Sequence, residues 1–550
     1  MAAARLAPRN PHILGNFANW LKSRDRFEDA LGYYRRAVEI APDFDQGWLN
    51  MGIAALDARK SDLAFSAITR AIELRPQSSP AWEALGGAHR RSGDLNGAEA
   101  AFRKATALDA SNAKAWVNLG VVLRLLGRPA EALPCLDEAR RRGYATLELS
   151  DSRAGVLIDL GQLQAAFEEL RRLIEAAPQF VQAQVTRAHL LWEYGELLAP
   201  GEDPLAGFRL AVADQPNNEA LRFEYVRFLL HARRSEEALD LIRRRRENRD
   251  RPALAMCEAH ALINLGRLEE AGAIFERLDE AGSKPNVAFL NAYTHYLLRA
   301  GQWDAAARRA QEATEINPED QEAWCHLATA WRLIDDPREY WLCDYDRIIG
   351  VVDVEPPPQF ADSEGFIAAL KTTLEPLHQA RREPVNQSLR GGSQTPGRLF
   401  GRPDPVIEAT RQAIVRAVER HIATLPDDET HPFLRRKKRS VSFTGSWSVK
   451  LWTSGKHANH FHPEGWMSSA YYVSLPPSVT DQSLARDPHS GWIQFGQPQA
   501  ELNLDLAPRR YIRPKAGQVA LFPSYMWHGT VPFEDDEPRM TIAFDMTPVD

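Results

Sequence analysis

Trp82-Glu83-Ala84-Leu85-Gly86-Gly87-Ala88-His89, followed by Ala98-Glu99-Ala100-Ala101-Phe102, decides the fold of the first three-fifths of this chain. Shifting the sequence along itself by 34 residues superposes Trp48, Trp82 and Trp116, then Gly52, Gly86 and Gly120, then Ala37, Ala71, Ala105 and Ala139. Ala30, Ala64, Ala98 and Ala132 repeat at the same interval; Pro42 and Pro76 close two units, and Pro178 falls three periods after Pro76. A fixed period of this length marks stacked helix pairs. The small residues let the two helices of a unit pack closely, the tryptophan and leucine fill the space between units, and proline stops the second helix.

The spacing Trp82-x-x-Leu85-Gly86-x-x-His89 with Ala98-x-x-x-Phe102 resembles the tetratricopeptide repeat, with histidine where that family usually has tyrosine. Drifted copies run through Gly161 with Ala166, Gly266 with Ala271 and Gly301 with Ala306, as far as Asn317-Pro318 and Ala323-Trp324. About nine helix pairs are expected, spanning residues 10–335. The repeated aromatics and alanines read as core packing, not as a cofactor box. What such an array offers functionally is its concave surface, so a polypeptide partner, either substrate or scaffold, is expected on it.

A chain of 550 residues is too long for one ordinary core, so at least two domains, or a domain plus a repeat array, are expected. Its formal net charge of -7 argues against a general nucleic-acid footprint and gives no reason to invoke acidic membranes. The local basic run Leu434-Arg435-Arg436-Lys437-Lys438-Arg439 reads as a solvated linker or surface face. Cys135, Cys257, Cys325 and Cys343 lack the close spacing of a zinc or redox motif, which fits a reduced compartment. Met1 to Pro8 has no apolar signal core, and no stretch approaches the roughly 20 apolar residues that span a bilayer. A cytoplasmic protein with no nucleic-acid or membrane partner is expected.

The period fails after Asp335-Asp336-Pro337, and Glu355-Pro356-Pro357-Pro358 marks a stiff connection. Residues 336–440 are expected to be a linker and helical preface, with helices around Phe366 to Gln379 and Pro405 to Thr424. Between them, Asn386-Gln387-Ser388-Leu389-Arg390-Gly391-Gly392-Ser393-Gln394-Thr395 is either a loop over an active-site mouth, bringing backbone amides near a ligand, or a plain surface loop. Residues 441–550 turn to β texture, with strand-like runs at Trp447 to Trp452, Ala470 to Leu475, Trp492 to Phe495, Gln518 to Phe522 and Met540 to Phe544. Many short strands after a helical preface predict a jelly roll, that is, a double-stranded β-helix.

The β region holds His457, His460 and His462, and later His528. In an extended chain residues i and i+2 share a face, so His460 and His462 can offer imidazoles to one ion, with His528 as a third ligand from a neighbouring strand. Three ligands on one face leave positions open for substrates, the arrangement of non-haem iron oxygenases. His457 would face differently and reads as a supporting or surface residue.

His460-Phe461-His462-Pro463, Ser469-Ala470-Tyr471-Tyr472-Val473, Gly517-x-x-x-Leu521-Phe522-Pro523-Ser524, His528 and Arg539-Met540-Thr541-Ile542-Ala543-Phe544 together resemble a bacterial and phage family of 2-oxoglutarate- and iron-dependent oxygenases. The similarity spans Trp447 to Asp545, and Asn386 to Phe400 resembles the preface of repeat-bearing members. The resemblance implies Fe(II) and 2-oxoglutarate as cofactor and co-substrate. It implies that Arg539, eleven residues after His528, grips the far carboxylate of 2-oxoglutarate, a task suited to a planar, permanently charged fork. Thr541, two residues on, would add a hydroxyl, and Tyr471 or Tyr472 would help from an adjacent strand. Hydroxylation of a protein or peptide side chain docked by the repeats is the implied activity.

The chain departs from the wider superfamily, which pairs His-x-Asp or His-x-Glu with a distal histidine. Two ligand sets stay open: His460, His462 and His528, or His462, Glu464 and His528. The first leaves Fe(II) at charge +2, which a dianionic 2-oxoglutarate neutralises. Three-histidine iron also occurs in thiol dioxygenases that use no oxo-acid, and a non-catalytic scaffold with a degenerate β domain is the third alternative. Zinc could occupy either triad, but no residue pattern names a base for its water.

Overall fold

The computed structural model describes residues 9–244, 251–280 and 286–549. Met1 to Pro8, read above for a signal segment, lies outside the described residues. Between Pro11 and Ile316 the described helices form nine antiparallel pairs, the tetratricopeptide-repeat solenoid that the 34-residue period predicts. The chain divides into two compact units, residues 1–169 and 170–550.

In the first unit the repeat chemistry is explicit. A Cβ placed on Gly52, Gly86 or Gly120 would come within 2.4 Å of Ile68, 2.7 Å of Phe102 or 2.6 Å of Leu136, respectively, each on the partner helix of the same pair. These glycines therefore set the interhelical distance. The tryptophans do more than fill space. Trp48 Nε1 donates to the Pro42 carbonyl at 3.0 Å, Trp82 to Pro76 at 2.9 Å and Trp116 to Ala110 at 3.0 Å, each tying a helix to the turn before it. A second period falls on the turn inside each hairpin, where Asp25, Arg59, Gly93, Gly127 and Gly161 all take positive φ. Gly161 is thus a turn glycine and not a copy of Gly52, as are Gly266 and Gly301 in the second unit.

In the second unit the repeat turns are tied by the same bond with changed donors: Gln184 Nε2 to the Pro178 carbonyl at 2.9 Å, Arg222 to that of Pro216, and Trp324 Nε1 to that of Pro318 at 3.0 Å. One apolar core continues from these helices through Leu327 and Trp331 into Trp527 and Phe544 of the β region. Polar contacts join the same parts. Trp527 Nε1 donates to Thr329 Oγ1 at 2.8 Å, Tyr525 to the Leu342 carbonyl at 2.7 Å, and Arg332 to the carbonyls of Gly496 and Ala507, both at 2.7 Å. The basic run is not merely solvated: Arg435 donates to the Pro318 carbonyl at 3.0 Å, and Arg436 pairs with Glu319 at 3.3 Å.

The β region is a jelly roll of two antiparallel sheets. The strands are β1 (Gly350–Asp353), β2 (Leu389–Gln394), β3 (Ser440–His457), β4 (Met467–Ser474), β5 (Ile493–Phe495), β6 (Arg510–Ile512), β7 (Gln518–Pro523), β8 (His528–Thr530) and β9 (Arg539–Val549). Six run in the order β1-β7-β4-β9-β3-β2 and three as β6-β5-β8. All five expected strands are present, with Leu475 and Trp492 falling one residue outside β4 and β5. The preface helices fall at Ser363–Leu374 and Pro405–Thr424, the first ending in a short 3-10 turn.

The segment expected as a glycine-rich loop is in part the edge strand β2. A Cβ on Gly391 would approach Gly455 Cα to 3.2 Å, and one on Gly392 would reach the Lys450 carbonyl at 2.5 Å. The glycine pair therefore lets β2 lie close on β3; Gln387 and Ser388 of the same segment, and not the glycines, line the cavity beside the histidines.

The adjacent glycines of the helix Ser79–Arg91 are expected to respond with opposite signs. Around Gly87 a Cβ meets nothing within 4 Å, so Gly87→Ala should raise stability by about 0.5–1 kcal/mol. Gly86→Ala should lower it by roughly 1–3 kcal/mol through overpacking on Phe102. Thermal melts of the two variants by circular dichroism check this; melting points that move together would refute it.

Candidate metal centre

His460 and His462 lie in the extended segment after β3, and His528 opens β8. An isolated antiparallel bridge joins the first and last: His460 N donates to the His528 carbonyl and His528 N to that of His460, both at 2.9 Å. His462 N is held by the Ser524 carbonyl at 2.9 Å. The backbone therefore presents all three imidazoles to one point, and their ligand atoms lie within 4.8 Å of one another.

The outer nitrogen of each ring is already engaged. His460 Nδ1 lies 2.9 Å from the Ala458 carbonyl, His528 Nδ1 2.9 Å from that of Met526, and His462 Nδ1 2.7 Å from the Asp545 carboxylate. Each of these partners can only accept, so each Nδ1 carries a proton, which in a neutral ring leaves the lone pair on Nε2. Yet His460 Nε2 and His462 Nε2 are 3.0 Å apart. Two lone pairs at that distance repel unless a cation lies between them. Two metal–imidazole bonds of roughly 2.1 Å at right angles separate their nitrogens by about 3.0 Å. The residues present therefore fit a divalent ion. Burial, reinforced by the neighbouring imidazoles, holds His460 and His528 well below the ordinary 6.5, which keeps them neutral and able to ligate.

Asp545 went unnoticed in the sequence. Its carboxylate also accepts from Ser468 Oγ at 2.6 Å, and that hydroxyl lies 2.8 Å from Ser524 Oγ. The signal was available: Arg539, Thr541, Ala543 and Asp545 alternate along β9 with Met540, Ile542 and Phe544. The set reserved for the site face ends on an acid. Glu464, the alternative ligand, is exposed and stands outside the three-histidine group.

A cavity of about 40 Å³ adjoins the triad, walled by Trp447, Ile493 and Phe522 and reached by Arg539 and Thr541. Arg539 is 2 % exposed, its Nε has no partner, and among the described residues no carboxylate pairs with it. Burial lowers its pKa, the sign of a cation lacking a counter-ion. Tyr472, opposite Thr541 in the β4–β9 register, places its ring 5.2 Å from the guanidinium. Burial raises the Tyr472 phenol to about 12, so it stays protonated. Tyr471 points to the other face with Ile542, because adjacent strand positions face opposite ways. Neither tyrosine lines the cavity itself. His457 does line it and is held by Ser388 Oγ at 3.0 Å, with its pKa pushed down to about 3 by burial and by the charge of Arg539.

A jelly roll with a three-histidine cluster and an unpaired arginine in its cavity, joined to a tetratricopeptide-repeat solenoid, defines the class. Residues 445–545 match the family described as "Putative 2OG-Fe(II) oxygenase". Residues 295–336 match the tetratricopeptide repeat, and residues 2–262 match the C-terminal domain of cilia and flagella-associated protein 70. The chain is a fusion of tetratricopeptide repeats with a domain of that oxygenase family. No curated protein matches it.

Part of the chain is similar to solved tetratricopeptide-repeat structures. PilF of Pseudomonas aeruginosa is 15% identical, with 40% of this chain and 96% of that one covered at a TM-score of 0.35. YrrB is 19% identical, with 33% and 94% covered at 0.28, and a thermophilic repeat protein of Thermus thermophilus is 20% identical, with 33% and 98% covered at 0.29. Among the described residues no helix is long and apolar enough to cross a membrane.

If Asp545 fixes the tautomer of His462, Asp545→Asn should weaken metal binding by about 10–100-fold. Glu464→Gln should leave it unchanged. Anaerobic titration with Co(II), followed by its visible ligand-field bands, distinguishes this from the alternative in which Glu464 is the ligand.

Proposed function

We propose that the chain is an Fe(II)- and 2-oxoglutarate-dependent oxygenase that hydroxylates a side chain of a protein or peptide held by the repeats. The observation that carries this reading is Arg539: a buried guanidinium without a counter-ion, on the same cavity as three convergent imidazole lone pairs. Burying a cation unpaired is costly, and a structure keeps one where an anion is to bind. Residues 336–440 serve as linker and preface and residues 441–550 as the oxygenase core in this reading.

The ligands would be His460, His462 and His528. Bound Fe(II) with 2-oxoglutarate supplies oxidation of a C–H bond by dioxygen, with succinate and carbon dioxide as co-products. The rest falls to the chain's own groups. Asp545, held by Ser468, keeps His462 oriented and its Nδ1 protonated. Arg539 would hold the far carboxylate of the co-substrate with two parallel N–H donors, and Thr541 would add a hydroxyl beside it. Tyr472 presents its ring to the guanidinium. Trp447, Ile493 and Phe522 exclude bulk water from the open side. Tetratricopeptide repeats generally bind proteins or peptides, and an array of this length offers far more surface than a metabolite needs.

The all-histidine cluster favours one other reading, an iron dioxygenase that uses no oxo-acid; such an enzyme would leave Arg539 without a task. Anaerobic addition of Fe(II) and 2-oxoglutarate decides between them. A weak visible charge-transfer band should appear in the native chain and be lost in His528→Ala and in Arg539→Ala. Bound iron without the band would sink the 2-oxoglutarate reading, and no bound iron would favour a non-catalytic scaffold.

A further inference from the structure

A second cavity of about 830 Å³ lies where the repeat helices of the second unit meet the β region. His231, His260 and His295, from three repeats, form one wall. Their line runs toward the metal cluster: His260 stacks on His295 at 6.3 Å, His295 lies 5.9 Å from His326, and His326 lies 6.4 Å from Phe461, which separates His460 from His462. The facing wall is Asn386, Gln387, Arg390 and the turn from Gln499 to Asn503. Gln387 lines both cavities, so the wide one opens beside the narrow one.

The charges of the wide cavity do not cancel locally. Arg233 pairs with Glu501 at 3.0 Å, and Arg234 pairs with Glu237. Glu501 and Glu383 also act on Arg390, and the remaining acid of the lining, Glu236, is exposed, so four arginines of the wall stand against its three acids. Arg299 has a buried Nε without a partner. Arg390 spends its hydrogen bonds on the carbonyls of Gln387 and Leu389, at 2.7 and 2.6 Å, and on no carboxylate among the described residues. Around these cations stand Asn264, Asn386, Gln387, Gln499 and Asn503, whose side-chain amides both donate and accept, the complement of a peptide backbone.

We propose that this cavity is the substrate subsite, and that it takes an extended polypeptide segment whose acidic side chains pair with Arg299 and Arg390 while a neighbouring side chain enters the triad cavity. The sizes support the division: about 830 Å³ accommodates a chain segment, whereas the cavity of about 40 Å³ beside the histidines does not. Calling the bound segment a substrate rests on the oxygenase reading above; the binding itself does not.

The test uses the full chain without added metal and three fluorescein-labelled nonapeptide pools, with random Ala, Gly and Ser flanks and a central Glu, Gln or Lys. By fluorescence anisotropy the Glu pool should bind about tenfold more tightly than the Gln pool, and the Lys pool most weakly. Arg299→Gln and Arg390→Gln should each reduce that preference. Glu501→Gln, which releases Arg233, should strengthen binding of the Glu pool, a gain that misfolding cannot imitate. Equal affinities for the Glu and Gln pools, or a preference surviving both arginine substitutions, would overturn the proposal. So would N-acetylglutamate amide binding as tightly as the Glu pool, since a small anion would then suffice. Acid preference without the iron chromophore sinks the oxygenase reading alone; the chromophore without acid preference sinks this subsite alone.

Discussion

Three imidazole lone pairs aimed at one point are the constraint around which the β region is built. Left alone they repel, so the fold must hold them there, and it does so from behind each ring. Two backbone carbonyls and the Asp545 carboxylate fix the three Nδ1 protons, while a reciprocal backbone bridge locks His460 to His528. Among the described residues the arrangement leaves no carboxylate in the cluster itself. It moves the acid one bond outward, where it sets the orientation and basicity of an imidazole.

The repeats contribute more than a docking surface. Trp527, immediately before His528, is anchored on Thr329 of the helix Gln321–Leu333, and Phe461 lies between the rings of His326 and Trp527. The last repeats are thus a wall of the site and belong to the same compact unit as the β region. A strand braced in this way is precise because its support is a packed helix and not a loop.

Much of this was legible in the residues. The 34-residue recurrence of Trp82 and Gly86, the i, i+2 spacing of His460 and His462, and the distance from His528 to Arg539 all carry periodicities that packing and strand geometry impose on sequence. The strands β1, β2, β6 and β8 were not legible. Each is short, and each exists because a distant partner completes its hydrogen bonds: β1 on β7, β2 on β3, and β6 and β8 on β5. The role of Gly391 and Gly392 was not legible for the same reason, since a glycine that admits another strand looks in sequence like one that admits a ligand.

By itself, then, the sequence determined the repeat class, the jelly roll and the three histidines, because these depend on local period and on residue type. Only the tertiary structure decided that Asp545 stands behind His462, that Tyr472 and not Tyr471 faces Arg539, and that a wide cavity with Arg299 and Arg390 opens beside the triad. Those relations join residues far apart in the chain, and their energies depend on burial and on what lies opposite, quantities that no single stretch of sequence contains.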